Sequence, residues 1–139
     1  MRAFDKDSYK AGPAFSISRN LTLEQDAAHV NLGGNWRMPT RAEYHELLNN
    51  CKVVWTDDYN GTGIKGHIFT SKVNGNSLFF PAAGACNPSS VDDVGSYGFY
   101  WSSTYVSRSS AYYLHFYSGH IDTNINDRNC GKSVRGVFK

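Results

Sequence analysis

The sequence has no apolar stretch as long as a membrane-spanning helix requires, and its first residues, MRAFDKDSYKAG, lack the apolar core of a secretory signal. We therefore expect neither a membrane span nor a leader on this chain. Its three cysteines, Cys51, Cys86 and Cys130, are odd in number, widely spaced and outside any CxxC motif. This pattern indicates free thiols, or at most one bridge, and excludes a small domain held together by disulfides.

Charge is also sparse, since charged residues make up 19% of the 139 residues and the formal net charge is +2. Charges so few and so scattered form no basic patch, so we expect no nucleic-acid partner. The hydrophobic content of 40% is that of a globular protein rather than a disordered one. The length suits one domain, residues 1–139, in which the polar residues 1–13 are predicted to form a loosely held arm.

Motifs of catalysis and metal binding are missing as well. The chain contains no GxSxG, no phosphate-binding glycine loop, no HxH and no HExxH. His115, His120 and Asp122 lie close in sequence and make a metal site conceivable, but such residues on a polar surface are more often plain contact residues. Asp92-Asp93 lacks the further spaced oxygen ligands of a calcium loop. We therefore predict no enzyme activity, no metal and no cofactor.

The first third of the chain contains two helix-start signals of the capping-box type. In one, Thr22 is the N-cap residue and Gln25 its partner, and Gly33-Gly34 ends the helix. In the other, Thr40 is the N-cap residue and Glu43 its partner. The apolar stripe that would bury the first helix is Leu23, Ala27 and Val30, widened by Ala28 and Leu32. In the second helix the stripe is Tyr44, Leu47, Leu48 and Cys51.

β-type patterns occupy most of the remaining chain. Apolar and polar residues alternate over residues 14–18, which predicts a first strand. Asn74-Gly75 lies between two β-prone runs and predicts a hairpin of residues 67–73 with 77–80. Four further strands are predicted at residues 99–103, 111–117, 120–123 and 133–138, after a long polar loop at residues 86–98. The order of elements predicts an α+β fold with two short helices, a small antiparallel sheet and long loops.

Residues 98–137 have the most distinctive composition of the chain, rich in Tyr, Ser, His, Asn and Asp. Between residues 102 and 131 there is no Lys, Glu, Gln, Met, Trp or Pro. Rigid aromatic side chains among small, adaptable hydrogen-bonding groups are typical of antibody-like recognition surfaces. The same composition also occurs on an ordinary β surface with long turns. We predict that this segment is a binding region held in place by the first hundred residues.

Four motifs occur in a fixed order along the chain: GNWRMPTRAE from Gly34, FPAAG from Phe80, GSYGFYWSST from Gly95 and SVR from Ser133. In this combination the sequence resembles the "major paralogous domain" of bacterial surface proteins. It also resembles the related variable proteins of diversity-generating retroelements, which are frequent in phages of gut bacteria. The resemblance covers about residues 15–137. It implies a C-type-lectin-like fold, a place on a virion or cell surface, and an unknown protein or glycan ligand.

The resemblance also divides the C-terminal region into fixed and variable positions. In the retroelement proteins, mutagenesis at adenines of Asn-type codons never yields Lys, Glu, Gln, Met or Trp, and residues 102–131 obey that exclusion. The implied framework is Ala111, Tyr112, Leu114, Phe116, Ser118, Gly119, Arg128 and Gly131. The implied ligand-binding positions are Tyr113, His115, Tyr117, His120, Asp122, Asn124, Asn126, Asp127, Asn129 and Cys130.

Strand alternation supports this division independently. In a strand, Tyr112, Leu114 and Phe116 share one face, which we predict to be core, and Tyr113, His115 and Tyr117 share the other. We expect all the implied ligand-binding side chains except that of Cys130 to be exposed together on one face. Two tryptophans, Trp36 and Trp101, lie in the motifs beside apolar runs, and we predict that both are buried, as is Met38.

Three functions are compatible with these patterns. The first, which we predict, is receptor recognition by a non-enzymatic phage or bacterial protein whose C-terminal face is hypervariable through retroelement mutagenesis. The second is a small enzyme of the formylglycine-generating or hydrolase type, although the three cysteines lie in no matching motif. The third is a structural domain repeated in bacterial surface proteins. Calcium-dependent sugar binding is not supported, because EPN, QPD and WND triplets are absent.

Overall fold

A computed structural model describes residues 19–87 and 89–138 of the chain. The expectations of an arm at residues 1–13 and a strand at residues 14–18 lie outside the described residues. The helices are α1 (Ala27–Leu32) and α2 (Arg41–Asn50), with a 3-10 turn at Tyr59–Gly61. The strands are β1 (Arg19–Asn20), β2 (Trp36–Arg37), β3 (Cys51–Thr56), β4 (Gly66–Ser71), β5 (Ser77–Pro81), β6 (Ala85–Cys86), β7 (Val91–Asp92), β8 (Gly98–Tyr105), β9 (Ser110–Tyr117), β10 (His120–Asp127) and β11 (Val137–Phe138).

These strands form four small antiparallel sheets, in the orders β1-β8-β9-β10, β3-β4-β5, β11-β2 and β6-β7. Strand accounts for 45% of the structure and helix for 16%. The α+β, C-type-lectin-like fold expected from the sequence is therefore wrong, and the protein is mostly β. The capping signals mark where a helix begins but carry no information about its length, and within the described residues only α2 exceeds two turns. None of the described helices is both long and apolar enough to span a membrane.

The first helix begins later than its predicted capping box. Asp26, not Thr22, is the N-cap residue, and its buried carboxylate accepts hydrogen bonds from the backbone N–H groups of Ala28 at 2.9 Å and His29 at 3.1 Å. The same carboxylate accepts the N–H of Met38, which ties α1 to the segment leading into α2. The competing cap wins because one side chain satisfies three backbone donors at once.

The late start shortens α1 to six residues, and its predicted apolar stripe forms only in part. Ala28 is core and Ala27 packs against the same cluster, whereas Leu23, Val30 and Leu32 are exposed. Gly33 ends the helix as predicted, since it adopts a φ of +69° that residues with a side chain rarely accept.

The second helix agrees with its prediction. The Thr40 hydroxyl accepts the Glu43 N–H at 3.1 Å, and the Glu43 carboxylate accepts the Thr40 N–H at 2.9 Å, which completes the capping box. Arg37 forms a bidentate ion pair with the same carboxylate, with Nη1–Oε1 and Nη2–Oε2 distances of 2.6 and 2.8 Å. The predicted apolar face is present: Tyr44 is buried, and Leu47, Leu48 and Cys51 pack against the core around it.

Because of this ion pair, we expect the stability of the folded protein to decrease as the pH falls into the acid range. The hydrogen bonds from Arg37 are the main reason that the pKa of Glu43 falls from 4.5 to about 2. A carboxylate whose pKa is lower in the folded state stabilises above its unfolded pKa and loses that contribution as the pH falls. We therefore expect the melting temperature of the protein to fall between pH 4.5 and 2 more steeply than that of Glu43→Gln.

Thermal melting by circular dichroism at a series of pH values measures this effect. Glu46→Gln is the matched control, because Glu46 is exposed on the same helix and should leave the pH profile of the parent unchanged. If the melting temperature falls equally steeply with pH in the parent and in Glu43→Gln, Arg37 does not stabilise the ionised Glu43.

The strand predictions are largely confirmed, with changed bounds. β4 and β5 form the predicted hairpin, paired from Gly66 with Pro81 to Thr70 with Ser77, and Gly75 takes a φ of +75° in the turn. β8, β9 and β10 are each longer than predicted, because their mutual pairing extends beyond the apolar core of each run. β11 is limited to two residues, and the predicted loop at residues 86–98 contains β7.

Two clusters of buried side chains occupy the two faces of the β8–β9–β10 sheet. The first lies between the inner face of that sheet, α2 and the β3-β4-β5 sheet, and consists of Tyr44, Phe69, Phe80, Ala82, Tyr100, Leu114 and Phe116. The second covers part of the opposite face and consists of Ala28, Met38, Trp101, Tyr105, Ala111 and Tyr113. Burial of Met38 and Trp101 confirms two predictions. The prediction for Trp36 is wrong, since it is 36% exposed and packs edge-on against Phe138.

Candidate functional site

Seven of the ten predicted binding residues lie on the face of the β8–β9–β10 sheet that is turned away from α2. Antiparallel pairing places His115 opposite Phe99 on one side and Asp122 on the other. Tyr117 lies opposite His120, next to the turn that joins β9 and β10. Side chains directly opposite each other in such a sheet share a face. We call this the outer face, formed by Tyr97 together with Phe99, Trp101, Tyr113, His115, Tyr117, His120, Asp122, Asn124 and Asn126.

Burial changes along the outer face. At one end Trp101 is 2% and Tyr113 7% exposed, because the second core cluster covers them. At the other end Tyr117 is 39% exposed, and His120 is also exposed. The expectation that Tyr113 is exposed with the other candidates is therefore wrong. Period-two alternation assigned its face correctly but did not reveal that α1 and Met38 cover that part of the face.

The open end is a packed group of rings. The rings of Tyr97, Phe99 and His115 are nearly parallel and lie side by side: His115 is 5.8 Å from Tyr97 and 5.2 Å from Phe99, and Tyr97 is 5.9 Å from Phe99, centroid to centroid. Tyr117 stands edge-on to both Tyr97 and His115, and the His120 ring lies 5.6 Å from it. Rings with several ring neighbours lose little further freedom when a ligand binds, so this surface is pre-organised for contact.

A buried histidine supports the open end from the inner side. His67 Nε2 lies 2.8 Å from the carbonyl oxygen of Tyr117, and its ring meets that of Phe116 edge-on at 5.0 Å. Burial lowers the pKa of His67, so the ring is neutral at neutral pH and Nε2–H is the donor to the carbonyl. This contact fixes the backbone of Tyr117. Sequence reasoning missed it, because fifty positions separate the two residues.

Lys132 is a second residue that sequence reasoning missed. Its Nζ lies over three rings of the outer face, at 4.6 Å from the Tyr113 centroid, 5.0 Å from Trp101 and 5.1 Å from Phe99. Burial lowers the pKa of Lys132, while Cys130 acts in the opposite direction. The ammonium gains a cation–π interaction with each ring. The residue directly follows the lysine-free segment, and only the folding of residues 131–133 beside β8 brings it to the rings.

The electrostatics of the open end depend on two histidines and this lysine. Burial is the main cause of the lowered pKa of His115, and the nearby His120 and Lys132 lower it further. The ring of His115 is therefore neutral at neutral pH and acts as an aromatic surface. Its ring centroid lies 6.4 Å from that of His120, and the described residues contain no group of three or more His, Cys, Asp or Glu side chains arranged to hold a metal ion.

The polar candidates of β10 cap the free edge of the sheet. The side-chain oxygens of Asp122, Asn124 and Asn126 each accept the backbone N–H of the residue that follows, at 2.7, 2.8 and 2.7 Å. These N–H groups belong to the edge strand and would otherwise be open to pairing with another strand. These contacts disfavour the addition of a further strand at this edge.

The last three candidates leave the outer face. Asp127 follows Asn126 in the strand and so is directed to the opposite side of the sheet, which contradicts the prediction that it shares the exposed face. Asn129 is exposed in the turn after β10. Cys130 is half-buried against the second core cluster, and its thiol lies 3.6 Å from Asn129 Oδ1. The three cysteines are free.

The predicted framework residues of β9 differ in how deeply they are buried. Leu114 and Phe116 are fully buried on the inner face, as predicted. Tyr112 shares that face but is only half-buried, because it lies beside the start of α2, where the Arg41 guanidinium covers its ring at 4.2 Å. The inner face of β9 is therefore core at its centre and an interface with α2 at one end.

Comparison with known proteins gives one family. Neither a curated protein nor a solved structure matches the chain. A family model described as a domain of unknown function, DUF8237, matches residues 60–137. The match runs from the turn before β4 to β11, so it includes the whole outer face apart from what packs on it from α1 and Met38. It covers more than half of the 139 residues, and the chain belongs to the DUF8237 family.

Proposed function

We propose that this protein is a recognition module that binds a ligand on a cell surface through the open end of its outer face. The observation that carries the proposal is the packed ring group of Tyr97, Phe99, His115, Tyr117 and His120 beside the polar residues of β10. Such a surface combines rigid aromatic contact area with hydrogen-bonding groups. It lies on a strand scaffold whose other side is closed by the main core.

The position of the rings favours binding over a structural role. Tyr117 and His120 are exposed although their neighbours form a tight core on the inner face. A purely structural domain gains nothing from exposing such rings, since exposed aromatic surface favours non-specific association. A fixed aromatic surface with polar residues along one edge has the composition of the central part of a protein interface.

We propose further that the exposed positions of the outer face are diversified by a retroelement on a phage or bacterial genome. Residues 102–131 contain none of the residue types that adenine mutagenesis of Asn-type codons excludes. Tyr117, His120, Asp122 and Asn124 are exposed, so substitution there removes few packing contacts. The decisive observation is the neighbouring DNA, which should encode a reverse transcriptase and hold a near-copy of the segment for residues 102–131.

A triple variant tests the binding surface directly. Tyr117, His120 and Asp122 are exposed, so replacing all three with Ser should leave the protein folded, at a cost of about 0.5 kcal/mol for Asp122 and about 1 kcal/mol for each of the two rings. The same variant should lose binding to those cells, in a panel of intact bacteria, that the fluorescently labelled parent decorates. Thermal melting and flow cytometry provide the two measurements.

Tyr113→Ser is the matched control from the covered end of the same face. Its ring is buried, so we expect it to destabilise the protein by about 3 kcal/mol. If the triple variant still unfolds cooperatively and decorates the same cells as well as the parent, the outer face is not the recognition surface. If the triple variant unfolds, the exposure assigned to these three residues is wrong.

A further inference from the structure

A pocket of about 380 Å³ lies on the inner side of the protein, between α2, β5 and the C-terminal residues. Its lining is mainly apolar and is made by Trp36, Leu47, Leu78, Phe80, Val137 and Phe138. Phe80 packs edge-on against Tyr100, whose side chain belongs to the first core cluster. The β8–β9 sheet therefore separates this pocket from the outer face, and the two features are independent.

Two charged side chains line the pocket, and they differ in their pairing. The Glu43 carboxylate accepts hydrogen bonds from Nη1 and Nη2 of Arg37 and from the N–H of Thr40, so its charge is compensated. Arg135 donates from Nη1 to the carbonyl oxygen of Phe79 at 2.7 Å, and its Cζ lies 4.5 Å above the Phe80 ring. Among the described residues, no carboxylate lies within ion-pair distance of Arg135.

These contacts hold the Arg135 guanidinium in one orientation while Nε and Nη2 retain donors for another group. A planar guanidinium with parallel N–H groups matches a carboxylate, and fixing it in advance reduces the entropy lost on binding. Apart from Glu43 and Arg135, the side chains that line the pocket are mainly apolar. The volume is near the lower end of the range of about 300–1,000 Å³ found for small-molecule sites.

We propose that this pocket binds a small amphiphilic carboxylate, with its head on Arg135 and its apolar chain between Leu78, Phe80 and Phe138. Burial of the chain supplies the affinity, and the single cation selects an acid over the corresponding alcohol. The three residues at the mouth, Trp36, Leu78 and Phe138, are 36, 45 and 64% exposed, so a bound chain would cover apolar surface that now faces water. The proposal does not depend on the ligand of the outer face.

Isothermal titration calorimetry of the full chain with sodium octanoate tests the proposal, with 1-octanol as the uncharged probe of equal length. We expect saturable binding of one octanoate per chain and binding of octanol about tenfold weaker or more, since a hydrogen bond to a charged group is worth about that factor. Arg135→Gln should abolish the preference for octanoate over octanol. Leu78→Asp should remove octanoate binding, because it places a negative charge at the mouth.

Lys52→Gln is the matched control, since it removes one exposed positive charge from a strand that does not line the pocket. It should bind octanoate like the parent. If Arg135→Gln fails to fold, Leu78→Asp decides, because Leu78 is 45% exposed and is not part of either core cluster. The proposal is overturned if octanoate gives no saturable heat, or if octanol binds as tightly as octanoate. It is also overturned if Leu78→Asp still binds octanoate, or if Lys52→Gln weakens octanoate binding as much as Arg135→Gln does.

Discussion

Replacing Trp101 with Ala is expected to lower the free energy of unfolding by about 3–5 kcal/mol, the cost of emptying a large buried aromatic site. Trp101 is 2% exposed and packs edge-on against Tyr113, and the Lys132 ammonium lies over its ring. Its own carbonyl oxygen also accepts the hydroxyl of Tyr44, so the residue contributes to the contacts of both core clusters. The surrounding strands leave little freedom to close the cavity.

The matched comparison is Trp36→Ala, which removes the same side chain from an exposed site. Trp36 is 36% exposed, and its main aromatic contact is with Phe138, itself exposed. An aromatic pair of this kind is worth about 1 kcal/mol. Urea unfolding of both variants measures the difference. Equal losses for the two variants would contradict the assignment of Trp101 to the core and Trp36 to the surface.

Gly98→Ala is the second substitution with a large expected effect. A Cβ on Gly98 would overlap the Phe116 ring at Cζ and Cε2, and Phe116 is 0% exposed, so the ring has no free volume in which to move. Gly98 pairs directly with Phe116 across β8 and β9, so the added methyl also strains the register of the two strands. We expect a loss of about 3 kcal/mol, the upper part of the range for overpacking a core.

Gly119→Ala provides the control for this substitution. A Cβ there would meet Tyr117 Cε2 at 3.6 Å, which is an ordinary van der Waals contact, and the turn is exposed. Removing a glycine at an unstrained site stabilises slightly or has no effect, because the unfolded chain loses freedom. Should Gly98→Ala melt at the temperature of Gly119→Ala, the close approach of Phe116 to β8 would be incorrect.

The blocked edge of β10 has a consequence for the positions that we propose to be diversified. Asp122, Asn124 and Asn126 each accept the next backbone N–H, so a residue placed there protects the sheet edge in addition to making the ligand contact that we propose. Asn and Asp carry a side-chain oxygen at the distance this contact needs. A short polar residue at each of these positions therefore keeps the edge strand protected from pairing with another strand.

The sequence alone determined the features that depend on contacts within a few residues. Thr40 and Glu43 cap α2 as predicted, because both hydrogen bonds of the capping box close within three positions. Asn74-Gly75 forms the predicted hairpin, because a tight turn needs a residue that accepts positive φ. Leu114 and Phe116 are buried as predicted, because period-two alternation is a property of any strand.

Only the tertiary structure decided which parts of each face are covered. Tyr113 and Tyr117 share one face of β9, yet the first is buried under Met38 and the second is open. Asp26 displaced Thr22 as the N-cap residue because its carboxylate also bonds to Met38, twelve positions away. Lys132 and His67 reach the outer face and its backbone only through long-range pairing. Burial and capping of this kind depend on residues far apart in sequence, and local patterns contain no information about them.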